Sequence, residues 1–393
     1  MDFRLTDDQL KIADSARKIA QKFGPEYWME KDRNREFPEE FWNTIGKARF
    51  PGIIIPEKYG GLGKGLSELI IAVEELDENG CGYGGSAHLL LSTICTTAIL
   101  RHGSEEQKKK YLPKIARGEI KCCLALTEPD AGSNTLNIKT RADKKNDRWI
   151  VNGNKIFISD IDQAGLMLLI ARTTPQEKIE KKGLGLSLFL VELPDDSIQY
   201  HMIPKHGMNY SKTFQVHIQN LQLSKDNLLG EEGKGWYHVL NSLNPERMVI
   251  AASAIGIAKL AIKTAVEYSK QRKVFEDPIG SYQGLQFPLA NAYAKIEAAR
   301  ILNQKAAWLY DTGAHYREVG ATANMAKVVA VDAAIEAVYH AMQIFGGYGY
   351  AVQYHVERWW REVNLFRLAP VTQQLALAFI GEHVLGMPPS YRR

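Results

Sequence analysis

Leu124-Ala125-Leu126-Thr127-Glu128-Pro129-Asp130-Ala131-Gly132-Ser133-Asn134 carries a short apolar strand into a turn rich in hydroxyls and backbone donors. Such a turn suits a ligand with many acceptor atoms; read locally, it is equally a plain strand followed by a Pro-Asp turn. The texture of the chain changes at this point. Upstream, from Thr6 to about Gly118, apolar residues recur at three and four, as in Leu10, Ala13, Ala16 and Ala20. That period predicts helices, with turns at Phe23-Gly24-Pro25 and Tyr59-Gly60-Gly61. Downstream, to about Gly230, short β-rich runs follow at Trp149 to Val151, Lys155 to Ser159, Leu166 to Arg172, Leu186 to Val191 and Phe214 to Ile218. Asn, Gly and charged turns separate them, and the charged stretch Thr174 to Gly183 suits a solvent-exposed hairpin connection. Beyond Gly233 long helical patterns return over Pro245 to Lys273, Tyr282 to Gly313, Ala321 to Phe345 and Thr372 to Leu385. The expected organisation is a helical domain over 1–120, a β domain over 121–232 and a helical bundle over 233–393.

A chain of 393 residues exceeds one small core, so packed regions sharing interfaces are expected. Its 49 basic and 45 acidic residues form no basic block, which argues against a nucleic-acid partner. The longest apolar runs, Leu166 to Ala171 and Leu184 to Leu193, fall short of the roughly 20 residues of a membrane helix, so no membrane segment is expected. Met1-Asp2-Phe3-Arg4-Leu5-Thr6-Asp7-Asp8 has neither a secretory apolar core nor a transit pattern, which predicts a cytoplasmic protein. Cys81, Cys95, Cys122 and Cys123 lack metal-ligand spacing and read as reduced, buried thiols, with no metal site. Gly60-Gly61-Leu62-Gly63-Lys64-Gly65 fits neither a P-loop nor a Rossmann turn, and H-E-x-x-H and G-x-S-x-G are absent. Metal-assisted and serine hydrolysis therefore lose their main supports.

The turn at Leu124 to Asn134 resembles the flavin-loop motif of acyl-CoA dehydrogenases, and the likeness runs through nearly the whole chain. It includes His102-Gly103-Ser104-Glu105-Glu106-Gln107-Lys108 to Leu112-Pro113, Asn152-Gly153 to Phe157-Ile158-Ser159, and Lys205-His206-Gly207-Met208. Asn227-Leu228-Leu229-Gly230, Arg272 to Phe275 and Gln343-Ile344-Phe345-Gly346-Gly347-Tyr348-Gly349-Tyr350 follow in the same order. The resemblance implies an N-terminal helical domain, a β-barrel-like middle domain and a C-terminal four-helix bundle, with FAD at their junction. Leu126, Thr127 and Ser133 would line the flavin, Ser133 also meeting the substrate thioester, with Phe157 and Ser159 on the other side of the ring. Arg272, Phe275, Gln343, Gly346 and Gly347 would meet FAD across a subunit boundary, Gln283 would also bind FAD, and Thr372 and Gln374 keep flavin-contacting positions. Taken alone, Phe157 reads as a core residue of an alternating strand, and Arg272 as a solvated cation at a helix C-terminus. Glycines after Phe345 read equally as a helix cap.

Abstracting a proton beside a thioester needs a positioned base, and the second hydrogen needs an acceptor, which FAD supplies in this family. Many members carry the base as a glutamate at the place occupied here by Pro370, which cannot accept a proton. A smaller branch, including isovaleryl-CoA and long-chain enzymes, carries it on the facing helix, and Asn244-Pro245-Glu246-Arg247-Met248 resembles that arrangement. The resemblance makes Glu246 the base and places Asn244 and Arg247 at the substrate. Locally the same residues read as a helix start, with Asn244 as cap, Pro245 in the first position and Glu246 complementing the dipole. Burial should raise the Glu246 pKa, while Arg247 and a nearby helix N-terminus should lower it, leaving the net direction open.

At about 1.5 Å per residue, Arg247 and Arg272 stand roughly 37 Å apart along one helix, too far to serve one part of one active site. An obligate oligomer, a tetramer by the resemblance, is therefore expected. The activity expected is α,β-dehydrogenation of an acyl-CoA to the trans-2-enoyl-CoA in fatty acid or carboxylic acid degradation, with electrons passed to an electron-transfer flavoprotein. Alternatives are enoyl-CoA reduction, a flavin oxidase or monooxygenase on the same fold, and a non-catalytic CoA- or flavin-binding scaffold. Three departures from the family pattern bear on detail: Glu276 stands where a glycine is usual, Asn134 where an aspartate is frequent and Ala369 where an aromatic residue is.

Overall fold

A computed structural model describes residues 4–389; Met1, Asp2 and Phe3 of the N-terminal stretch read above lie outside them. Six helices come first: α1 (Asp7–Lys22), α2 (Pro25–Asn34), α3 (Glu39–Lys47), α4 (Leu66–Leu76), α5 (Ala87–His102) and α6 (Glu105–Ala116). Thr6 and Ser104 begin α1 and α6 with reciprocal capping boxes to Gln9 and Gln107. The β region comprises β1 (Cys122–Ala125), β2 (Arg141–Lys145), β3 (Arg148–Ser159), β4 (Leu166–Arg172), β5 (Leu186–Glu192), β6 (Ile198–Met202), β7 (Thr213–Leu223) and β8 (Leu228–Leu229). The chain then forms α7 (Gly235–Gln271), a hairpin of β9 (Lys273–Val274) and β10 (Asp277–Pro278), α8 (Gln283–Asp311), α9 (Tyr316–Phe345), α10 (Val356–Leu365) and α11 (Gln373–His383). This is the order of helices, strands and helices that the resemblance implied.

The strands form one sheet in the order β6-β7-β3-β2-β4-β5-β8, with β1 paired in parallel to β4. Every residue of β4 is buried, which explains its unbroken apolar run. Leu166, Leu168 and Ile170 join the core shared with the helices, while Met167, Leu169 and Ala171 face a second core inside the sheet with Trp149, Phe189 and Val216. The two-residue period of a strand thus bolts the sheet to the helical body.

The helix carrying Glu246 starts nine residues before the expected Asn244 cap. Helix α7 begins at Gly235, and Pro245 lies inside it. Proline there removes one backbone hydrogen bond, yet buried His238, Val239 and Ser242 pack the first turns and hold the helix through it. Asn152-Gly153, read as a turn, is an irregularity within β3, where Gly153 approaches Thr140 so closely that a Cβ would lie 2.4 Å from its hydroxyl. By length and composition α7 and the segment Tyr316–Tyr350 could cross a membrane; 78% of the most apolar part of α7 is buried in the protein, as befits the central helix of a bundle. All four cysteines are free and buried.

Candidate active site

Glu246 lies on α7 and is only 7% exposed. Its carboxyl has no hydrogen bond or ion pair among the described residues. Desolvation raises its pKa to about 8 against the opposing pull of the Arg247 charge. The helix N-terminus expected to lower it is eleven residues away and contributes nothing, so the open question of direction resolves upward. Arg247 donates from Nη1 to Asn244 Oδ1 at 2.5 Å, while its Nε is buried without a partner. An unpaired carboxyl beside an incompletely paired guanidinium is costly to bury and makes this a candidate ligand site.

Other elements converge on this end of α7. Gly320 of α9 stands 3.7 Å from the Asn244 amide, as judged from an added Cβ. Lys327, also on α9 and fully buried, bonds the Val371 carbonyl at 3.1 Å and is pushed down to about 8 by burial, with Arg247 among the charges it feels. The Thr372 segment is thereby held to α9. Thr372 itself caps α11 by accepting from Leu375 N, and Gln374 is exposed in the first turn of that helix. Tyr83, packed on Phe366 with ring centroids 4.7 Å apart, feels both the Glu246 and the Asp160 carboxyl. The carboxyls that act on its buried phenol thus include one on α7 and one just after β3, where Ser159 precedes Asp160. Among these contacts, the sequence reading did not include Tyr83 or Lys327.

The turn after β1 and the end of β3 lie against each other: Ile156 N donates to Thr127 O at 2.9 Å. The β3–β7 register runs Lys155 to Val216 and then Ile158 to Phe214, three residues against two. This bulge reverses the parity of β3. Phe157, which strict alternation would bury, instead sits at φ 59° and is 62% exposed. A bulky residue in the left-handed region, aimed outward, is strained in a way that core packing does not explain. The hydroxyls of Thr127, Ser133 and Ser159 have no partner among the described residues, and a Cβ on Gly132 would meet nothing within 4 Å. Polar hydroxyls, an outward aromatic ring and open backbone suit a planar heterocycle with acceptor atoms.

A second cluster forms at the opposite end of α7. Arg272, Gln343, Gly346 and Gly347 line one open cavity of about 530 Å³ together with Tyr268 and Phe345, whose rings stack at 4.2 Å. Arg272, Gln283 and Gln343 have no side-chain partner among the described residues, and added Cβ atoms on Gly346 or Gly347 would meet nothing. Phe275 is 90% exposed, and Gln283 stands exposed at the start of α8. Unpaired guanidinium, amide and glycine backbone suit a diphosphate and an adenine. This cavity is nevertheless about 37 Å along α7 from Glu246. The candidate residues therefore form two groups in one chain, one around Glu246 and the other around Arg272.

Three family models match successive parts of the chain. The acyl-CoA dehydrogenase N-terminal domain matches residues 6–119, the middle domain residues 123–221 and the C-terminal domain residues 233–385. The chain is 39% identical to "Acyl-CoA dehydrogenase fadE12" of Mycobacterium bovis, covering 94% of each. It is 35% identical to "Acryloyl-CoA reductase (NADH)" of Anaerotignum propionicum, over 98% of this chain and 96% of the relative. Butyryl-CoA dehydrogenase of Megasphaera elsdenii superposes with a TM-score of 0.92 at 33% identity, covering 98% of this chain and all of that one. With all three domains matched in order and relatives aligned almost end to end, the chain belongs to the acyl-CoA dehydrogenase family of oxidoreductases acting on the CH–CH group of acyl-CoA.

Proposed function

We propose that this enzyme carries out α,β-dehydrogenation of an acyl-CoA thioester, with FAD as cofactor and Glu246 as the base. The observation that carries the reading is the buried, unpaired carboxyl on α7, together with the absence of any proton acceptor at Pro370. FAD, when bound, supplies the acceptor for the β hydrogen as hydride. Leu126, Thr127, Ser133, Phe157, Ser159, Thr372 and Gln374 would hold the flavin, and Arg272, Phe275, Gln283, Gln343, Gly346 and Gly347 the diphosphate and adenine of a cofactor in a second copy. Asn244 and Arg247 orient the thioester so that its α carbon faces Glu246. The glutamate takes the α proton, and the dry surroundings that raised its pKa give the carboxylate its basicity.

The separation of the two clusters supports a homo-oligomer, a tetramer by family resemblance, and an electron-transfer flavoprotein is the proposed electron acceptor. Exposed Phe287, Tyr293 and Trp308 on α8 supply an apolar face for subunit contact. A second reading, enoyl-CoA reduction, is favoured by the pKa of about 8, because a carboxyl protonated at neutral pH is ready to donate. Adding acyl-CoAs one at a time to the oxidised enzyme without oxygen distinguishes the two. Bleaching of the flavin band by one class of saturated thioester supports dehydrogenation and names the substrate. A flavin that no saturated thioester bleaches, but that an enoyl-CoA reoxidises after chemical reduction, supports reduction instead.

A further inference from the structure

Lys155 is fully buried on β3, facing inward with Trp149 and Val151. Its ammonium donates to the Leu126 carbonyl at 3.0 Å and to Glu128 Oε1 at 2.9 Å. The Glu128 carboxylate in turn accepts from Lys139 N at 2.6 Å and Thr140 N at 2.9 Å. A second buried cation, Arg172, holds the other end of the same loop by donating to the Leu136 and Ile138 carbonyls at 2.7 and 2.9 Å. With Ile156 N on Thr127 O, the carbonyls of Leu126 and Thr127 are both drawn toward β3. The Thr127 hydroxyl is left without a partner among the described residues.

A buried ion pair is a weak source of stability, since desolvating two charges cancels most of their attraction, and an apolar pair of equal volume often serves as well. What the ammonium adds is direction. It has three donors to place, and here it ties one backbone carbonyl to the carboxylate that organises the rest of the turn. We propose that Lys155 is a positioning residue, whose bond to the Leu126 carbonyl and to Glu128 sets the Leu126–Thr127 backbone in the one conformation that presents this turn to the flavin. The inference rests on the reading that this turn meets the flavin, and goes beyond it by assigning the orientation to a residue that touches neither cofactor nor substrate.

The test uses the holoenzyme and the double variant K155M/E128Q, which removes both members of the Lys155–Glu128 ion pair together. FAD affinity is measured by reconstitution, the flavin absorption band is recorded, and thermal unfolding is followed without added FAD. A positioning role predicts FAD binding weakened tenfold or more and a shifted flavin band, with an unfolding midpoint close to wild type. A lowered midpoint with unchanged affinity and spectrum would make the pair merely structural and overturn the proposal. Should the double variant not fold, K155R decides: the bulkier guanidinium keeps the charge and the Glu128 pair but distorts the Leu126 contact, so weakened FAD binding is expected and wild-type binding overturns the proposal. T127A separates the two levels. If T127A weakens FAD binding and the Lys155 variants do not, positioning fails while the flavin contact stands; if none of them does, the flavin contact fails as well.

Discussion

The two ends of α7 are built on opposite principles. Around Glu246 the protein is closed: the carboxyl is buried, its pKa is displaced, and α9, the Thr372 segment and Tyr83 crowd the same end. Around Arg272 it is open, with an unpaired guanidinium, glycines facing empty space and an aromatic ring almost wholly exposed. A closed end can shift a proton affinity because water is excluded. An open end cannot, and its unpaired donors have purpose only when something else covers them. In the function proposed above, one helix would carry the chemistry of one site and, about 37 Å away, a contribution to another.

The sharpest way to break this contrast is to remove the carboxyl. E246Q should reduce the rate of flavin reduction by roughly 10²- to 10⁴-fold, the usual worth of a general base, while acyl-CoA binding survives. A variant that still bleaches at near the wild-type rate would return Glu246 to an ordinary core position and point to an alternative base. By contrast, the open end should affect cofactor retention more than the chemical step.

A smaller effect is expected from pH. Because the Glu246 pKa lies near 8 in the free enzyme, the carboxylate fraction grows as pH rises, and kcat/KM for dehydrogenation should climb about tenfold per unit below that value and level off above it. Reduction of an enoyl-CoA should show the reverse. The same carboxyl binds a proton more tightly folded than unfolded, so the stability it contributes is present below about 4.5 and lost as pH rises through about 8. A flat rate profile from pH 6 to 9 would contradict the closed character of this end.

The smallest effect concerns the hairpin at the open end. Phe275 and Glu276 occupy its two-residue turn at φ 54° and 78°, a conformation that favours Gly or Asn. E276G relieves the strain of a side chain in the left-handed region but adds freedom to the unfolded chain, so a gain of at most about 1 kcal/mol is expected in thermal unfolding. A loss of stability would mean that the Glu276 side chain holds the hairpin.

The order of helices, strands and helices was legible in the periodicity of the chain, and Leu166 to Arg172 was bounded as a strand to the residue. The start of α7 was not, because Asn244-Pro245-Glu246 has the local chemistry of a helix beginning and only the burial of His238, Val239 and Ser242 carries the helix past it. Phe157 was misplaced by alternation for a comparable reason: a one-residue bulge, invisible in the side-chain pattern, turns it outward. The candidate residues themselves came from the resemblance. Their grouping and the direction of the Glu246 shift depend on desolvation, which is a property of the packed molecule. Lys155 left a faint trace, a lysine in step with Trp149 and Val151 on the apolar side of its strand.

Subunit complementation tests most directly whether the two ends of α7 serve different sites. E246Q and R272A chains are co-expressed, the mixed oligomers purified, and flavin reduction by the preferred acyl-CoA measured at limiting FAD. In a mixed oligomer one site combines the intact Glu246 of one chain with the intact Arg272 of the other, so activity above that of both parent variants is predicted. Activity no higher than the better parent would mean that both residues act on the cofactor of their own chain, and would contradict the division of labour along α7.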